Sequence, residues 1–285
     1  MPSFLRRMLR LSLLLMLAVA GFLIELLVFP LLSPAARRVV IRQWSRALMR
    51  TCGLRVRVHA LGAGRVVEDP DPVTGDPATR RRLEDLAPGR MLVANHTSWL
   101  DIFAINSLAT SAFVAKQELR SWPLAGWLVA LAGTVFIERA RRRAVHQVIQ
   151  ALRERIRSGF PVAVFPEATT SIEPALLPFH ANLLQAAIAE EAEVVPLAIR
   201  YLDGDGAPAM EAAYIGETTF IQSLWTVLGA TGLVASVGVM DAVPAAGRNR
   251  HELARELRAL ISDGLGSPTP GTSPGTAAAF QGASR

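Results

Sequence analysis

The sequence predicts an α/β fold: a mostly parallel sheet flanked by helices, preceded by an N-terminal membrane helix and a second, amphipathic helix. Three observations predict it. Short apolar runs alternate with segments of helical periodicity from Met91 to Ile199, which is how strands joined by crossover helices read. Chemistry-bearing residues repeatedly follow the apolar runs, where functional groups of parallel sheets collect. A long apolar stretch near the start is flanked by arginine.

That stretch, Leu11 to Leu32, is 22 residues long and follows Arg6, Arg7 and Arg10. About 20 apolar residues span a bilayer, so it is long enough. Glu25 is its one charge. A basic start and Ala18-Val19-Ala20 also fit a cleaved signal peptide, but the apolar run continues well past that point, which favours an uncleaved anchor. Pro34 then permits a helix over Ala35 to Met49. Arg38, Arg42, Arg46 and Arg50 fall on one face of it, and Val40, Ile41, Trp44, Ala47 and Leu48 on the other. Such a helix suits a lipid surface, with Trp44 at the headgroup level; an ordinary surface helix of the globular domain is the alternative. Arginines flank the span on both sides, so charge leaves open whether it crosses the bilayer or dips into one leaflet.

The remaining elements follow in order. Leu54 to Ala60 alternates apolar and polar, a strand with one buried face. Gly62 to Gly89 is rich in Pro, Asp and Arg, an exposed insertion. Strands are predicted at Met91–Ala94, Phe113–Ala115, Gly133–Arg139, Pro161–Phe165, Val194–Ile199 and Leu233–Met240. Helices are predicted over Leu100–Leu108, Trp122–Ala132, Ala144–Ser158, Asn182–Glu190, around Leu224–Leu228, and over His251–Ile261 with Asn249 as its cap. The domains expected are an anchor with its amphipathic helix (1–50), a catalytic domain (51–265), and a disordered tail rich in Gly, Ser, Thr, Pro and Ala (266–285).

Composition narrows the function. The 285 residues carry a formal charge of +6, and Lys116 is the only lysine among 30 basic residues. The arginines cluster beside the apolar span, and no helix-turn-helix, zinc or RNA-binding motif is present, so nucleic acid is not an expected partner. The single cysteine, Cys52, excludes an internal disulfide and reads as a buried, inert thiol. No His/Cys spacing suggests a metal site.

The chemistry centres on Asn95-His96-Thr97-Ser98-Trp99-Leu100-Asp101. Residues five apart are about 500° around a helix, on different faces. His96 must therefore precede the helix while Asp101, in its first turn, reaches back, with Thr97 or Ser98 capping the start. A histidine oriented by a carboxylate can draw a proton from a hydroxyl nucleophile. The alternative is a histidine buried at a strand end beside a capping Asp.

Four stretches in this order resemble the glycerophospholipid acyltransferase family, which includes bacterial 1-acyl-sn-glycerol-3-phosphate acyltransferases. They are Asn95–Asp101 (His-x4-Asp), Gly133–Arg139, Val164–Ser171 (similar to Phe-Pro-Glu-Gly-Thr-Arg-Ser) and Val194–Ile199. The resemblance implies His96 as general base, oriented by Asp101. It implies Glu138, Arg139, Pro166, Glu167, Thr169 and Thr170 as acceptor-binding residues. By chemistry alone, Arg139 could equally be a solvated charge and Glu167 a turn carboxylate held by backbone N–H groups. The implied reaction moves a fatty acyl group from acyl-CoA or acyl carrier protein to the hydroxyl of a lysophospholipid, without cofactor or metal. The implied partners are membrane lipids, the lysophospholipid and the acyl donor, and the implied location is the cytoplasmic side of a bacterial inner membrane. Ala168 stands where the family has Gly and Thr170 where it has Arg. The latter removes a cation from the expected phosphate site, and keeps lyso-ornithine lipid and other lysolipids open as acceptors. A non-catalytic membrane-anchored lipid-binding protein is the rival from another class. A thioester hydrolase is disfavoured by the lack of Gly-x-Ser-x-Gly.

Overall fold

Residues that are apolar on both sides form the centre of the sheet. The computed structural model describes residues 3–62, 65–66, 79, 83, 89–116, 134–137, 142–171 and 176–266. Most of the 62–89 insertion, the 122–132 helix, Glu138, Arg139 and the tail beyond Gly266 lie outside them. Strand β3 (Met91–Ala94) is buried at every position and pairs in parallel with β6 (Val162–Val164) on one side and β7 (Glu193–Leu202) on the other. A strand covered on both faces reads as a continuous apolar run, as here. Outward from β6 lie β4 (Ala112–Lys116) and β5 (Val135–Ile137), both parallel.

On the other flank the direction reverses. Strand β8 (Leu233–Met240) is antiparallel to β7 and parallel to β1 (Leu54–Gly62), so β1 and β8 run opposite to the central strands. Short β2 (Arg65–Val66) and β9 (Val243–Pro244) add antiparallel pairs to β1 and β7. Among the described residues the sheet has nine strands. Its parallel part confirms the predicted class, and the antiparallel β7/β8 junction is an addition to it.

Helices cover both faces. One face holds the core of Leu48, Val58, Phe103, Ile199, Val227 and Val237. It lies under α1 (Ser3–Leu23), α2 (Pro34–Thr51), α3 (Leu100–Leu108) and α6 (Phe220–Gly229). The other holds Val93, Leu152, Leu184 and Leu257, under α4 (Arg142–Arg157), α5 (Gln185–Ala189) and α7 (Arg250–Gly266). Side-chain caps open several helices: Ser33 accepts from Ala36 N, Thr219 and Gln222 form a capping box, and Asn249 accepts from His251 N at 2.8 Å. All three satisfy orphan N–H groups, and the Asn249 cap is the one the sequence predicts.

The apolar N-terminal helix continues through a π turn and a 3-10 turn to Leu31, and Ser3–Leu31 is long and apolar enough to cross a membrane. Only Leu14, Ala18 and Gly21 of α1 are buried. The helix packs against α2, whose Trp44 donates its indole N–H to Leu17 O at 3.0 Å. Trp44, expected at the headgroup level, is instead buried (8 % exposed) and sets its ring edge-on to Phe103 of α3. Enclosure by α1 and α3 together satisfies both its apolar body and its N–H. Arg46, on the basic face of α2, donates to Ser107 O at 2.8 Å, so that face also meets protein.

Candidate active site

The site forms where β3 stops being able to pair. Asn95, the residue after the strand, continues the ladder with its side chain: Oδ1 accepts from Ile199 N at 2.8 Å and Nδ2 donates to Ile199 O at 2.9 Å. This frees the backbone to turn, and His96 emerges at the carboxyl edge of the parallel strands. There its ring stacks on Phe165, centroid to centroid 4.2 Å, just after β6.

Asp101 occupies the first turn of α3 and reaches back, as the five-residue spacing requires. Its Oδ2 accepts from His96 Nδ1 at 2.8 Å, Thr97 N at 2.8 Å and Ser98 N at 2.9 Å. Its Oδ1 accepts from the Tyr201 hydroxyl of β7 at 2.7 Å. Asp101 is fully buried, and an acceptor-only carboxylate satisfies all four donors at once. The hydroxyl of Ser98 accepts from Leu100 N at 3.3 Å, but the N-cap position of α3 is Trp99 and no side chain caps it, so the cap expected of Thr97 or Ser98 is not formed. With Nδ1–H held by Asp101, the tautomer places the lone pair on Nε2, and the imidazole side chain is 20 % exposed.

The turn after β6 braces this arrangement from below. Glu167 is 3 % exposed. Its Oε1 accepts from His96 N at 2.8 Å, and its Oε2 from the Ser171 hydroxyl at 2.5 Å and Leu177 N at 3.0 Å. The backbones are tied as well: Ser171 N donates to His96 O at 2.7 Å, and Tyr214 N to Thr97 O at 2.9 Å. Pro166 is buried with its carbonyl accepting from His180 N at 2.8 Å. Thr169 is exposed, and Thr170 spends its hydroxyl on Tyr214 O. Ala168 takes φ +61°, so the turn keeps the left-handed conformation that glycine would take without strain. His180 precedes a 3-10 turn, Ala181–Leu184, and its side chain makes no capping hydrogen bond there.

The predicted residues therefore divide. His96, Asp101, Pro166, Glu167, Thr169 and Thr170 meet around one turn. Glu138 and Arg139 lie outside the described residues, although β5 ends at Ile137 on the same carboxyl edge of the sheet as β3. Three contributors were not singled out from sequence: Tyr201, Asn95 and Phe165. The only sequence signal for Tyr201 was a tyrosine closing an apolar strand, since its reach to Asp101 is set by strand order. Among the described residues no group of acidic, His and Cys side chains could hold a metal ion.

Comparison with known proteins identifies the family. Residues 78–200 match the family model described as Acyltransferase. A 1-acyl-sn-glycerol-3-phosphate acyltransferase of Neisseria gonorrhoeae is 38 % identical over 179 residues, covering 61 % of this chain and 70 % of that protein. A lyso-ornithine lipid O-acyltransferase of Rhizobium meliloti is 33 % identical over 246 residues, 80 % of this chain and 77 % of that one. In fold, the crystal structure of the 1-acyl-sn-glycerophosphate acyltransferase PlsC from Thermotoga maritima superposes with a TM-score of 0.57 at 22 % identity, covering 90 % of this chain and 96 % of that one. The His-x4-Asp turn sits within the matched segment, and the chain belongs to the glycerophospholipid acyltransferase family.

Proposed function

We propose that the protein moves a fatty acyl group from an acyl thioester to the free hydroxyl of a lysolipid, with 1-acyl-sn-glycerol-3-phosphate as acceptor and phosphatidate as product. The observation that carries this reading is the 2.8 Å contact between His96 Nδ1 and an Asp101 carboxylate saturated by three further donors. Such a pair holds the ring still and leaves Nε2 as base. His96 Nε2 takes the proton of the acceptor hydroxyl as its oxygen attacks the thioester carbonyl. The tetrahedral adduct expels the thiolate, the imidazolium returns the proton to it, and the products are an ester and a free thiol. The thioester is already activated, so neither a metal nor a covalent enzyme intermediate is required.

Glu167 acts in this scheme through His96: its oxygens are taken by the His96 turn, Ser171 and Leu177, which makes it a positioning residue. Arg139 supplies the phosphate contact that the family resemblance assigns, since a guanidinium can hold a phosphate in a two-point grip, and Glu138 beside it in sequence belongs to the same acceptor-binding set. Pro166, Thr169 and Thr170 shape the acceptor side. Membrane attachment at the cytoplasmic face of a bacterial inner membrane fits the exposed apolar surface of α1 and a water-soluble acyl donor, acyl-CoA or acyl carrier protein.

A second acceptor has its own support. Thr170 replaces the usual cation and its hydroxyl is committed to Tyr214 O, which suits a headgroup other than a bare phosphate, such as lyso-ornithine lipid. The test is acyl transfer by the purified protein in detergent, from long-chain acyl-CoA and from acyl carrier protein, to lysophosphatidate and to lyso-ornithine lipid. Free thiol and acylated lipid are followed together. Thiol release matched by phosphatidate supports the first reading, and product from lyso-ornithine lipid alone supports the second. Thiol release without acylated lipid overturns both in favour of hydrolysis.

A further inference from the structure

Helix α6 is short and apolar, and it touches both the outside of the molecule and the catalytic turn. It has no charged residue. Ile221 and Trp225 are one turn apart, on one face, and stand 77 % and 36 % exposed. On its opposite side Ser223 is buried and accepts from the Trp99 indole N–H at 3.1 Å, while Phe220 meets the Trp99 ring edge-on at 5.2 Å. Trp99 lies between Ser98, whose N–H holds Asp101, and the start of α3.

The outer face of α6 continues the apolar surface of α1. Phe4, 64 % exposed, packs edge-on against Trp225 with centroids 6.5 Å apart. Arg7 lies over the Trp225 ring at 5.2 Å. Two neighbouring arginines close the end of α6: Arg6 donates to Gly229 O, and Arg10 donates to Leu228 O at 3.1 Å and Ala230 O at 2.6 Å. Cations at a helix C-terminus satisfy its orphan carbonyls and its dipole. The result locks α6 to the start of α1. An apolar face bearing Ile and Trp, rimmed by arginine, has the chemistry of a segment that sits at the boundary of acyl chains and anionic headgroups.

We infer that α6 is a bilayer-docking element, with Ile221 and Trp225 entering the headgroup–acyl boundary while its inner side, through Ser223 and Phe220 on Trp99, holds the catalytic turn close to that boundary. The inference rests on the membrane attachment through α1 proposed above and adds a second, sequence-distant contact at the site itself.

The test uses the full chain reconstituted in phosphatidylethanolamine–phosphatidylglycerol vesicles, with an environment-sensitive fluorophore at Ile221→Cys or, as the control, at Ala259→Cys, an exposed position of α7. Native Cys52 is fully buried and escapes labelling. The expected result is a blue-shifted probe at position 221 that spin-labelled lipid quenches, and a water-exposed probe at 259. Equal, water-like behaviour at both positions overturns the inference. This readout needs no turnover, so it stands apart from any failure of the acyltransfer reading. A second arm compares Ile221→Asp with the native chain: about tenfold lower transfer to lysolipid in vesicles and unchanged transfer in detergent micelles are expected. Equal rates in vesicles overturn the inference.

Discussion

Two histidines belong to one sheet, with β8 and β7 between their strands, and the comparison shows how little the residue type alone decides. His96 follows β3 and His59 lies in β1. His96 has a carboxylate on Nδ1, an aromatic ring beneath it, and a side chain that reaches solvent. His59 is 4 % exposed, and its Nδ1 has no hydrogen-bond partner among the described residues. Its surroundings are Arg57 on its own strand and Arg200 on β7, both near enough to oppose a positive charge. Burial first, then these guanidiniums, push the His59 pKa down to about 4. A base needs a neighbour that welcomes its proton and an open path to the substrate. His96 has both, and His59 has neither.

The sharpest way to break that contrast is to remove each ring. His96→Ala should cost about a thousandfold or more in acyl transfer, within the span that a positioned base contributes. The protein should still fold, as judged by its circular dichroism and its elution in detergent. His59→Gln should leave turnover within about twofold, because His59 takes no part in the contacts that hold His96 and Asp101. Comparable losses in both variants would mean that the pairing with Asp101 does not single out the base.

A second contrast appears in stability against pH. Well above pH 6.5 His59 is neutral in both folded and unfolded chains and contributes no pH dependence. Below that value the unfolded chain binds a proton that the folded chain, with its His59 pKa near 4, refuses. Stability therefore falls as pH drops from about 6.5 to about 4. The loss on going from pH 7.5 to pH 5 should be about 2 kcal/mol from this group alone. Chemical unfolding in mild detergent at the two pH values measures it, and His59→Leu should flatten the difference. A native and a His59→Leu protein with the same pH response would show that the ring is not held neutral.

How much of this was open to sequence reading follows from what kind of information each contact needs. The His96–Asp101 geometry was legible because a five-residue spacing at a strand–helix junction constrains both groups locally. Most elements of the sheet were legible too, since the runs at Met91–Ala94 and Val194–Ile199 are apolar throughout. Tyr201 was not, because its contact with Asp101 spans a hundred positions and depends on β7 lying next to β3. His59 read as an ordinary strand residue, since alternation places it on a polar face; Arg200 reaches it only once β1, β8 and β7 are aligned. Trp44 was misplaced for a related reason. An amphipathic pattern says which face is apolar, and only tertiary structure says whether lipid or protein covers it.

Tyr201 offers a finer cut on the His96 side. Tyr201→Phe removes one of the four donors on Asp101 while keeping the ring that fills the core. A hydrogen bond to a charged group is worth about 1.5–3 kcal/mol, so a tenfold or larger fall in kcat with little change in KM is the expected outcome. A fall confined to KM would instead place the hydroxyl in substrate binding. A carboxylate with three donors left still holds His96, so the effect should stay well below that of His96→Ala.

The smallest effect tests whether strain in the supporting turn belongs to the mechanism. Ala168 sits beside Glu167 at φ +61°, a conformation that costs a non-glycine residue about 1–2 kcal/mol. Glycine relieves that cost but gives back part of it, about 0.4–1 kcal/mol, through a freer unfolded chain. Ala168→Gly should therefore stabilise the protein by roughly 0.5–1 kcal/mol, read as a small upward shift in the unfolding midpoint. Glu167 is fixed from three other directions, by His96 N, Ser171 and Leu177. With that many ties the turn should keep its shape and acyl transfer should change by less than twofold. A clear drop in turnover alongside a gain in stability would mean that the methyl group of Ala168, through its hold on the backbone, helps keep His96 on Asp101. The strain would then be part of what separates His96 from His59.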